Sequence, residues 1–236
     1  MALSRTTSEP WVFEWAWLGR VPYARALWLQ ERIRDDVAEG RVAETLLLLE
    51  HEPVITLGRH ARPEHVLSSP EALASDGIAT VPTSRGGDVT FHGPGQLVGY
   101  PIFRLRRGIR AHVTAMAQGI ASLLANLGIT GQWRESQPGI WVGGDKICAM
   151  GVHVRRRIAT HGFALNVSVD LAGFRNIVPC GLPNGGVTSI AKLLGAAPEL
   201  ETLAVQVAHA FEQTFGGSLL RIPSSSSRLQ IASGNL

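Results

Sequence analysis

The spacing of apolar residues predicts three long helices and two short ones. Between residues 23 and 38, apolar side chains such as Ala26, Leu29 and Ile33 recur every three or four positions. Gly40 follows this segment and is typical of a helix end. The same spacing predicts the remaining helices over residues 110–127, 200–215, 70–75 and 189–194.

Strands are predicted where apolar residues alternate with polar ones or form short continuous runs. The four leucines at 46–49 are flanked by Thr45 and Glu50, a pattern typical of a buried central strand. Residues 168–187, rich in Gly, Pro and Asn, are predicted to be a loop. The predicted strands are 12–18, 45–50, 54–59, 78–82, 98–105, 132–135, 139–142, 146–155 and 158–167. The order of these elements predicts an α+β fold, with a mixed, largely antiparallel sheet and packed helices.

The length of 236 residues and the globular composition fit one large domain or two small ones with a substantial core. Residues 1–9 are polar and are expected to be loose. A single catalytic domain is expected over residues 10–222. Residues 223–236 include four consecutive serines and are predicted to be a disordered tail.

The composition excludes several classes of protein. The 22 basic and 19 acidic residues give a net charge of only +3, which argues against nucleic acid as a partner. No run of eighteen apolar residues occurs, so no membrane span is expected, and no signal peptide is evident. Two cysteines are too few for a disulfide framework, so a cytoplasmic protein with reduced thiols is expected.

Basic residues cluster in two places, at 104–110 and at 155–157. Each cluster by itself is typical of a solvated turn. If both flank a binding site, they are expected to attract an acidic partner through a salt-sensitive interaction.

The glycine-rich segment 85–101 is the most informative stretch for function. Its glycines permit close approach of a ligand to the main chain, while its prolines restrict the backbone. Polar groups occur throughout it, from Arg85 to Tyr100. Composition alone also fits a simple connector between strands.

Two cysteines and one lysine are candidates for nucleophilic chemistry. Cys180 lies between Pro179 and Gly181 in a predicted loop, whereas Cys148 lies inside a predicted strand. A reactive thiol needs a nearby cation or base, and Lys146 opens the strand that contains Cys148. Strand alternation places Lys146 and Cys148 on one face. Spacing therefore leaves the choice of nucleophile open, although a thiol in an apolar run is more often core filler.

His92 and His161 are the candidate site histidines, with a proton-transfer role and a structural role equally compatible with their positions in turns. The histidines and cysteines show no metal-ligand spacing, so no metal is expected. No Walker loop or dinucleotide motif occurs, so no nucleotide cofactor is expected.

The ordered motifs resemble the octanoyltransferases of lipoate biosynthesis. The segment from Arg85 to Tyr100 has the pattern Arg-Gly-Gly-x-x-Thr-Phe-His-x-x-Gly-Gln-x-Val-x-Tyr. It is followed in family order by the Lys146 strand, Thr-His-Gly-Phe-Ala-Leu-Asn-Val at 160–167, Pro-Cys-Gly at 179–181 and Thr-Ser at 188–189. The resemblance covers residues 12 to 216 and implies the fold of biotin and lipoate-protein ligases, a mixed sheet with helices on one side.

The resemblance also implies functional residues. It maps a catalytic dyad onto Cys180 and Lys146, with His161 as a supporting group. Cys148 departs from the small residue that the family usually has there. The implied acyl-binding residues are Arg85, Gly86, Gly87, Asp88, Val89, Thr90, Phe91, His92, Ala149, Met150, Gly151, Gly162, Phe163 and Ala164.

The implied reaction moves an octanoyl group from acyl carrier protein to a lysine of lipoyl domains, through a cysteine thioester and without a cofactor. The expected acceptors are the lipoyl domains of 2-oxoacid dehydrogenases and the glycine cleavage H protein, and the enzyme is expected to be a monomer. Three alternatives are an ATP-dependent lipoate- or biotin-protein ligase, a non-catalytic carrier-binding module, and a hydrolase that uses Cys180 and His161.

Overall fold

A computed structural model of the chain describes residues 11–178 and 186–230. Its helices are α1 (Tyr23–Ala38), α2 (Pro70–Ser75), α3 (Gly108–Asn126), α4 (Ile190–Leu194) and α5 (Leu200–Phe215). Its strands are β1 (Val12–Arg20), β2 (Thr45–Glu50), β3 (Val54–Leu57), β4 (Ala79–Pro82), β5 (Val89–His92), β6 (Gln96–Ile102), β7 (Gln132–Arg134), β8 (Gly139–Val142), β9 (Asp145–Arg155), β10 (Ile158–Asn166), β11 (Gly186–Val187) and β12 (Ser218–Arg221).

The strands form two sheets. The large sheet has the order β12-β1-β2-β6-β10-β9-β8-β7, with β11 added beside β9, and the small sheet has the order β4-β3-β5. In the large sheet, every neighbouring pair from β2 to β7 is antiparallel, whereas β1 is parallel to both its neighbours and β11 is parallel to β9. The predicted α+β class with a mixed, largely antiparallel sheet is confirmed.

Helices cover both faces of the large sheet. Leu46 and Leu48 of β2 pack in a core with α3 and α5, while Leu47 and Leu49 pack in a second core with α1. Because both faces are buried, β2 is continuously apolar rather than alternating. The expectation of helices on one side only is therefore wrong, because α1 packs on the opposite face.

Three predictions about the connecting segments are corrected. The glycine-rich segment contains the strand Val89–His92 and the start of β6. The predicted loop 168–187 contains a 3-10 turn at Leu171–Asn176 and the short strand β11. The predicted disordered tail contains a 3-10 turn at Ser227–Leu229, and Leu229 is buried against the α1 core. Residues 1–9 and 231–236 lie outside the described residues.

A β-bulge in β9 changes the direction of Lys146. Ile140 of β8 pairs with Cys148, but the next residue, Trp141, pairs with Lys146, so Ile147 is an extra residue in β9. Successive residues of β8 point to opposite faces, and directly paired residues share a face. Lys146 and Cys148 therefore point to opposite faces, and the prediction that they share one is wrong.

Cys148 points into the core between the sheet, α3 and α5, where it is fully buried. Burial raises the pKa of its thiol to about 12.

Among the described residues, no helix combines the length and apolar character needed to cross a membrane.

The first prediction concerns Cys148. With a thiol pKa of about 12, roughly one Cys148 in ten thousand is ionised at pH 8, so iodoacetamide should not modify it in the folded protein. Peptide mass spectrometry should find alkylated Cys148 only after unfolding in urea, which serves as the control. Rapid alkylation of native Cys148 would contradict its placement in the core.

The second prediction concerns His112 of α3. Burial lowers the pKa of this imidazole to about 4, and its Nε2 has no hydrogen-bond partner among the described residues. Its ring packs edge-on against Phe103 and Phe215. Because the unfolded chain takes up the proton near pH 6.5 and the folded chain only near pH 4, stability is lost as the pH falls through this window.

The variant His112→Phe should keep the aromatic contacts and remove this pH dependence. When the pH is lowered from 7 to 5, the free energy of unfolding of the wild type should fall by about 2 kcal/mol more than that of the variant. Urea unfolding at the two pH values measures this difference. His209→Phe is the control, because His209 is exposed on α5. If the stability of His112→Phe and of the wild type depended equally on pH, the lowered pKa of buried His112 would be disproved.

Candidate active site

A cavity of about 1100 Å³ lies where the two sheets meet. Its walls come from β6, β9 and β10 of the large sheet, from the segment that leads into β5, and from the first turns of α3. The cavity brings together nearly all of the predicted site residues that the structure describes: Arg85, Gly86, Gly87, Asp88, Val89, Thr90, His92, Ala149, Met150, Gly151, His161, Gly162, Phe163 and Ala164.

Two predicted site residues that the structure describes, Lys146 and Phe91, are absent from the cavity wall, and Phe91 lies in the core of the small sheet. Its ring packs edge-on against Phe174, with centroids 5.4 Å apart, in the core of the small sheet. A Cβ atom at Gly93 or Gly173 would lie within 2.9 Å of this ring. Phe91 therefore fills a space that the two glycines leave open. The prediction that Phe91 lies on the acyl-binding wall is wrong, because its ring packs in the core of the small sheet.

The glycines of the wall serve close backbone contacts. A Cβ at Gly151 would lie 2.8 Å from the carbonyl oxygen of Gly86, and the Gly86 N–H donates to the Val152 carbonyl over 3.0 Å. A Cβ at Gly162 would lie 2.2 Å from the Gly99 oxygen. These glycines let the loop at 85–88 dock on β9 and let β10 approach β6.

Arg85 is a buried clamp at the base of the loop. Its guanidinium donates to the Thr56 hydroxyl from Nε (3.2 Å) and Nη2 (3.0 Å), and to the Thr56 carbonyl over 2.7 Å. A third nitrogen donates to the Gly86 carbonyl over 3.1 Å. Arginine presents several donors in a rigid fork, so this one side chain fixes the loop to β3.

His92 continues the hydrogen bonds that begin at Arg85. Because the Thr56 hydroxyl already accepts from Arg85, its proton is directed to His92 Nε2, 3.4 Å away. His92 Nδ1 then donates to Gln96 Oε1 over 2.7 Å. Burial places the His92 pKa well below 6.5, so the ring is neutral, with one nitrogen donating and the other accepting.

Gln96 and Asn166 extend this chain across the large sheet. Gln96 Nε2 donates to Asn166 Oδ1 over 2.9 Å and to the Phe91 carbonyl over 3.2 Å. Asn166 Nδ2 donates to the Thr188 carbonyl over 2.9 Å, and the Thr188 N–H donates to the Lys146 carbonyl over 3.0 Å. A continuous series of hydrogen bonds therefore connects the cavity loop to the backbone of Lys146. We call it the polar chain.

His161 has an unusual backbone conformation for a strand residue. Its φ is 57°, in the left-handed region that few side chains adopt. Its N–H donates to Gln30 Oε1 over 2.7 Å, and Nε2 lies 3.2 Å from the Ser84 hydroxyl. Burial lowers its pKa to about 3. Such a weak base is poorly suited to take a proton at neutral pH, so the geometry favours a positioning role.

His51 and Tyr100 form a buried hydrogen-bonded pair that sequence analysis did not identify. His51 Nδ1 donates to the Val21 carbonyl, so Nε2 is the acceptor for the Tyr100 hydroxyl, and both distances are 2.7 Å. Tyr100 lines the cavity and was visible in the glycine-rich motif. His51 directly follows the buried strand β2, which was the available signal.

Lys146 is buried, with a relative exposure of only 5%. Its Nζ lies 3.4 Å from the carbonyl oxygen of Pro138, a residue of the cavity wall, and 4.8 Å from the centre of the Trp141 ring. Gly139 has a φ of 157°, and a Cβ there would lie 3.1 Å from the lysine Cε. The bulge in β9 and the glycine in β8 together make room for the Lys146 side chain beside the cavity.

The predicted nucleophile, Cys180, lies outside the described residues. The residues on each side of the omitted segment are described. The Val178 N–H donates to the carbonyl of His65, a cavity residue, over 2.8 Å, and Val187 pairs with Lys146 in β11. The His65 ring is in turn hydrogen-bonded to the Asp88 carboxylate of the glycine-rich loop. Both ends of the segment are therefore attached beside the cavity.

Within residues 11–178 and 186–230, no group of three His, Cys, Asp or Glu side chains converges in a way that would hold a metal ion. The polar groups of the cavity wall act instead as hydrogen-bond donors and acceptors, and its apolar groups include Val98, Met150 and Phe163. The arrangement suits an apolar chain that ends near a buried lysine.

Comparisons with known proteins agree with this chemistry. Residues 22–212 match the family described as the lipoyl protein ligase A/B catalytic domain. An octanoyltransferase of Solibacter usitatus is 47% identical over 206 residues, which cover 86% of this chain and 93% of that protein. An octanoyltransferase of Chloroflexus aggregans is 46% identical over 193 residues, covering 79% and 87%.

Solved structures show the same fold at low identity. A lipoate-protein ligase A bound with ATP has a TM-score of 0.76 and 17% identity, and the match covers 90% of each chain. A biotin protein ligase from Aquifex aeolicus with biotin and ATP has a TM-score of 0.54 and 12% identity, covering 86% of this chain and 70% of that one. From the family match and the close relatives, this chain belongs to the lipoyl protein ligase A/B catalytic domain family and, within it, to the octanoyltransferases, which are acyltransferases.

Proposed function

We propose that this octanoyltransferase takes its octanoyl group from acyl carrier protein, holds it as a thioester on Cys180, and delivers it to a lysine of a lipoyl domain. The observation that carries the proposal is the buried Lys146 side chain, whose Nζ lies 3.4 Å from the Pro138 carbonyl of the cavity wall and whose backbone pairs with Val187, shortly after the segment that contains Cys180. The acceptors are the lipoyl domains of 2-oxoacid dehydrogenases and the glycine cleavage H protein. The enzyme acts as a monomer. Its location is the cytoplasm, in keeping with two cysteines, too few for a disulfide framework.

The first half-reaction exchanges one thioester for another. Lys146 takes the proton of the Cys180 thiol, and the thiolate attacks the carbonyl carbon of the octanoyl thioester. The bond from that carbon to the carrier sulfur breaks, and the Lys146 ammonium returns its proton to the departing thiolate. The products are octanoyl-Cys180 and the free carrier thiol, with no net change in protonation.

The second half-reaction converts the thioester into an amide. The acceptor lysine attacks as a neutral amine and loses a proton to Lys146, while the bond to the Cys180 sulfur breaks. The proton then returns to Cys180. Because an amide is more stable than a thioester, this half is downhill and needs no ATP.

The cavity supports an acyl substrate of this kind. The loop at 85–88 and the β10 residues 162–164 both line it, and Met150 and Val98 add apolar surface. Its volume of about 1100 Å³ exceeds the need of an eight-carbon chain, since pockets for whole drug-sized ligands measure ~300–1000 Å³. The remaining space fits the thioester end of a carrier arm.

The third prediction tests the covalent intermediate. Intact-protein mass spectrometry after mixing with octanoyl-acyl carrier protein, without ATP, should detect one added octanoyl group. Cys180→Ser should abolish the adduct, whereas the matched control Cys148→Ala should retain it. An adduct mapped to Cys148, or octanoyl transfer that depends on ATP, would contradict the proposal.

The fourth prediction separates charge from proton transfer at Lys146. Lys146→Arg keeps a cation but cannot release its proton at working pH. Octanoyl transfer should therefore fall by roughly a hundredfold or more, the scale of lost general acid–base catalysis. A single-turnover rate within a few-fold of wild type, with an unchanged pH profile, would show that charge alone suffices.

A further inference from the structure

The two arginine clusters found in the sequence are partly neutralised within the chain. Arg106 binds both carboxylate oxygens of Glu44, at 2.9 and 2.6 Å, and lies over the Trp11 ring. Arg110 pairs with Glu135 at 2.8 Å. These side chains already have acidic or aromatic partners and are therefore poor candidates for recognition of an acidic ligand.

A different set of cations lies at the cavity wall. Arg59 and Arg62, with His60 between them, are exposed and line the cavity, and among the described residues neither arginine side chain forms an ion pair with a carboxylate. We call these two arginines the rim cations. Glu64 follows Arg62 by two positions, and Asp88, whose carboxylate accepts from the Arg62 N–H, is hydrogen-bonded to His65.

The backbone of the rim cations is held against the glycine-rich loop. The Arg59 N–H donates to the Arg85 carbonyl and the His60 N–H to the Gly87 carbonyl, both over 3.0 Å. The Arg62 N–H donates to Asp88 Oδ1 over 3.3 Å. A Cβ at Gly58 would lie 2.3 Å from the Gly87 oxygen, so this attachment requires glycine. The backbone that carries Arg59 and Arg62 is therefore fixed beside the proposed acyl site.

We propose that the rim cations bind the phosphodiester of the donor's prosthetic arm. This inference rests on the proposed function, in which the donor thioester is carried on a phosphopantetheine arm. That arm has a thioester at one end and a phosphate at the other, and the cavity has exposed arginines in its wall and a buried lysine beside its Pro138 wall. Arginine forks bind phosphate oxygens with paired, charge-assisted hydrogen bonds. The rim cations thus fix the arm's entry point while the acyl chain fills the cavity.

Two small donors that differ only in the phosphate test this site. The wild type should acylate Cys180 about tenfold faster, as kcat/KM, with octanoyl-4′-phosphopantetheine than with octanoyl-pantetheine. In the double variant Arg59→Gln, Arg62→Gln this ratio should fall to near one. The matched control Arg106→Gln, Arg221→Gln should keep the wild-type ratio, since both arginines pair with glutamates and neither lines the cavity.

The outcomes separate the inference from the function on which it rests. If the wild type is acylated by neither small donor nor by octanoyl-acyl carrier protein, the proposed function fails. If the wild type uses both small donors equally well, or if the rim double variant keeps the preference for phosphate, only the phosphate site is overturned. Loss of activity with carrier protein alone, at an unchanged ratio for the small donors, would assign the rim cations to acidic side chains of the carrier and would also overturn the phosphate site.

Discussion

The hydrogen bond between Gln96 and Asn166 joins the two halves of the site. Both amides are buried, and an unpaired amide there would cost about 1–3 kcal/mol. Gln96 can accept from His92 and donate to Asn166 only in one orientation of its amide. That orientation gives the whole polar chain a single direction, from Arg85 to the Thr188 carbonyl. The position of Lys146 relative to the cavity loop depends on this chain, because Thr188 is bonded to its backbone.

This direction explains why the sequence motifs carry particular polar residue types. Thr56 must both accept from Arg85 and donate to His92, which only a hydroxyl in that place can do. His92 must stay neutral, and its burial ensures this by holding its pKa far below 6.5. The motifs look like separate signatures along the chain, but their polar side chains form one connected structure. The glycines between them allow the close backbone approaches that bring these side chains into contact.

Much of the fold could be predicted from sequence because its helices and central strands have clear periodicity. Helix α1 and strand β2 have the predicted bounds. The strand β5 was missed because the surrounding glycines and prolines indicate a loop. The bulge at Ile147 was missed because simple alternation assumes regular pairing, and it reversed the inferred relation of Lys146 to Cys148. Long-range partners such as Asn166 and Gln96 carry no local signal, so the polar chain required the structure.

The most direct test of this account is a double-mutant cycle on the two ends of the polar chain. Thr56→Val and Asn166→Leu each remove hydrogen bonds with little change in side-chain volume, and the two residues do not contact each other directly. If the polar chain acts as one unit, each single change should slow single-turnover octanoyl transfer. The double variant should then be no slower than the slower of the two single variants. Losses that multiply in the double variant, with all proteins folded, would show two independent contributions and would contradict the account.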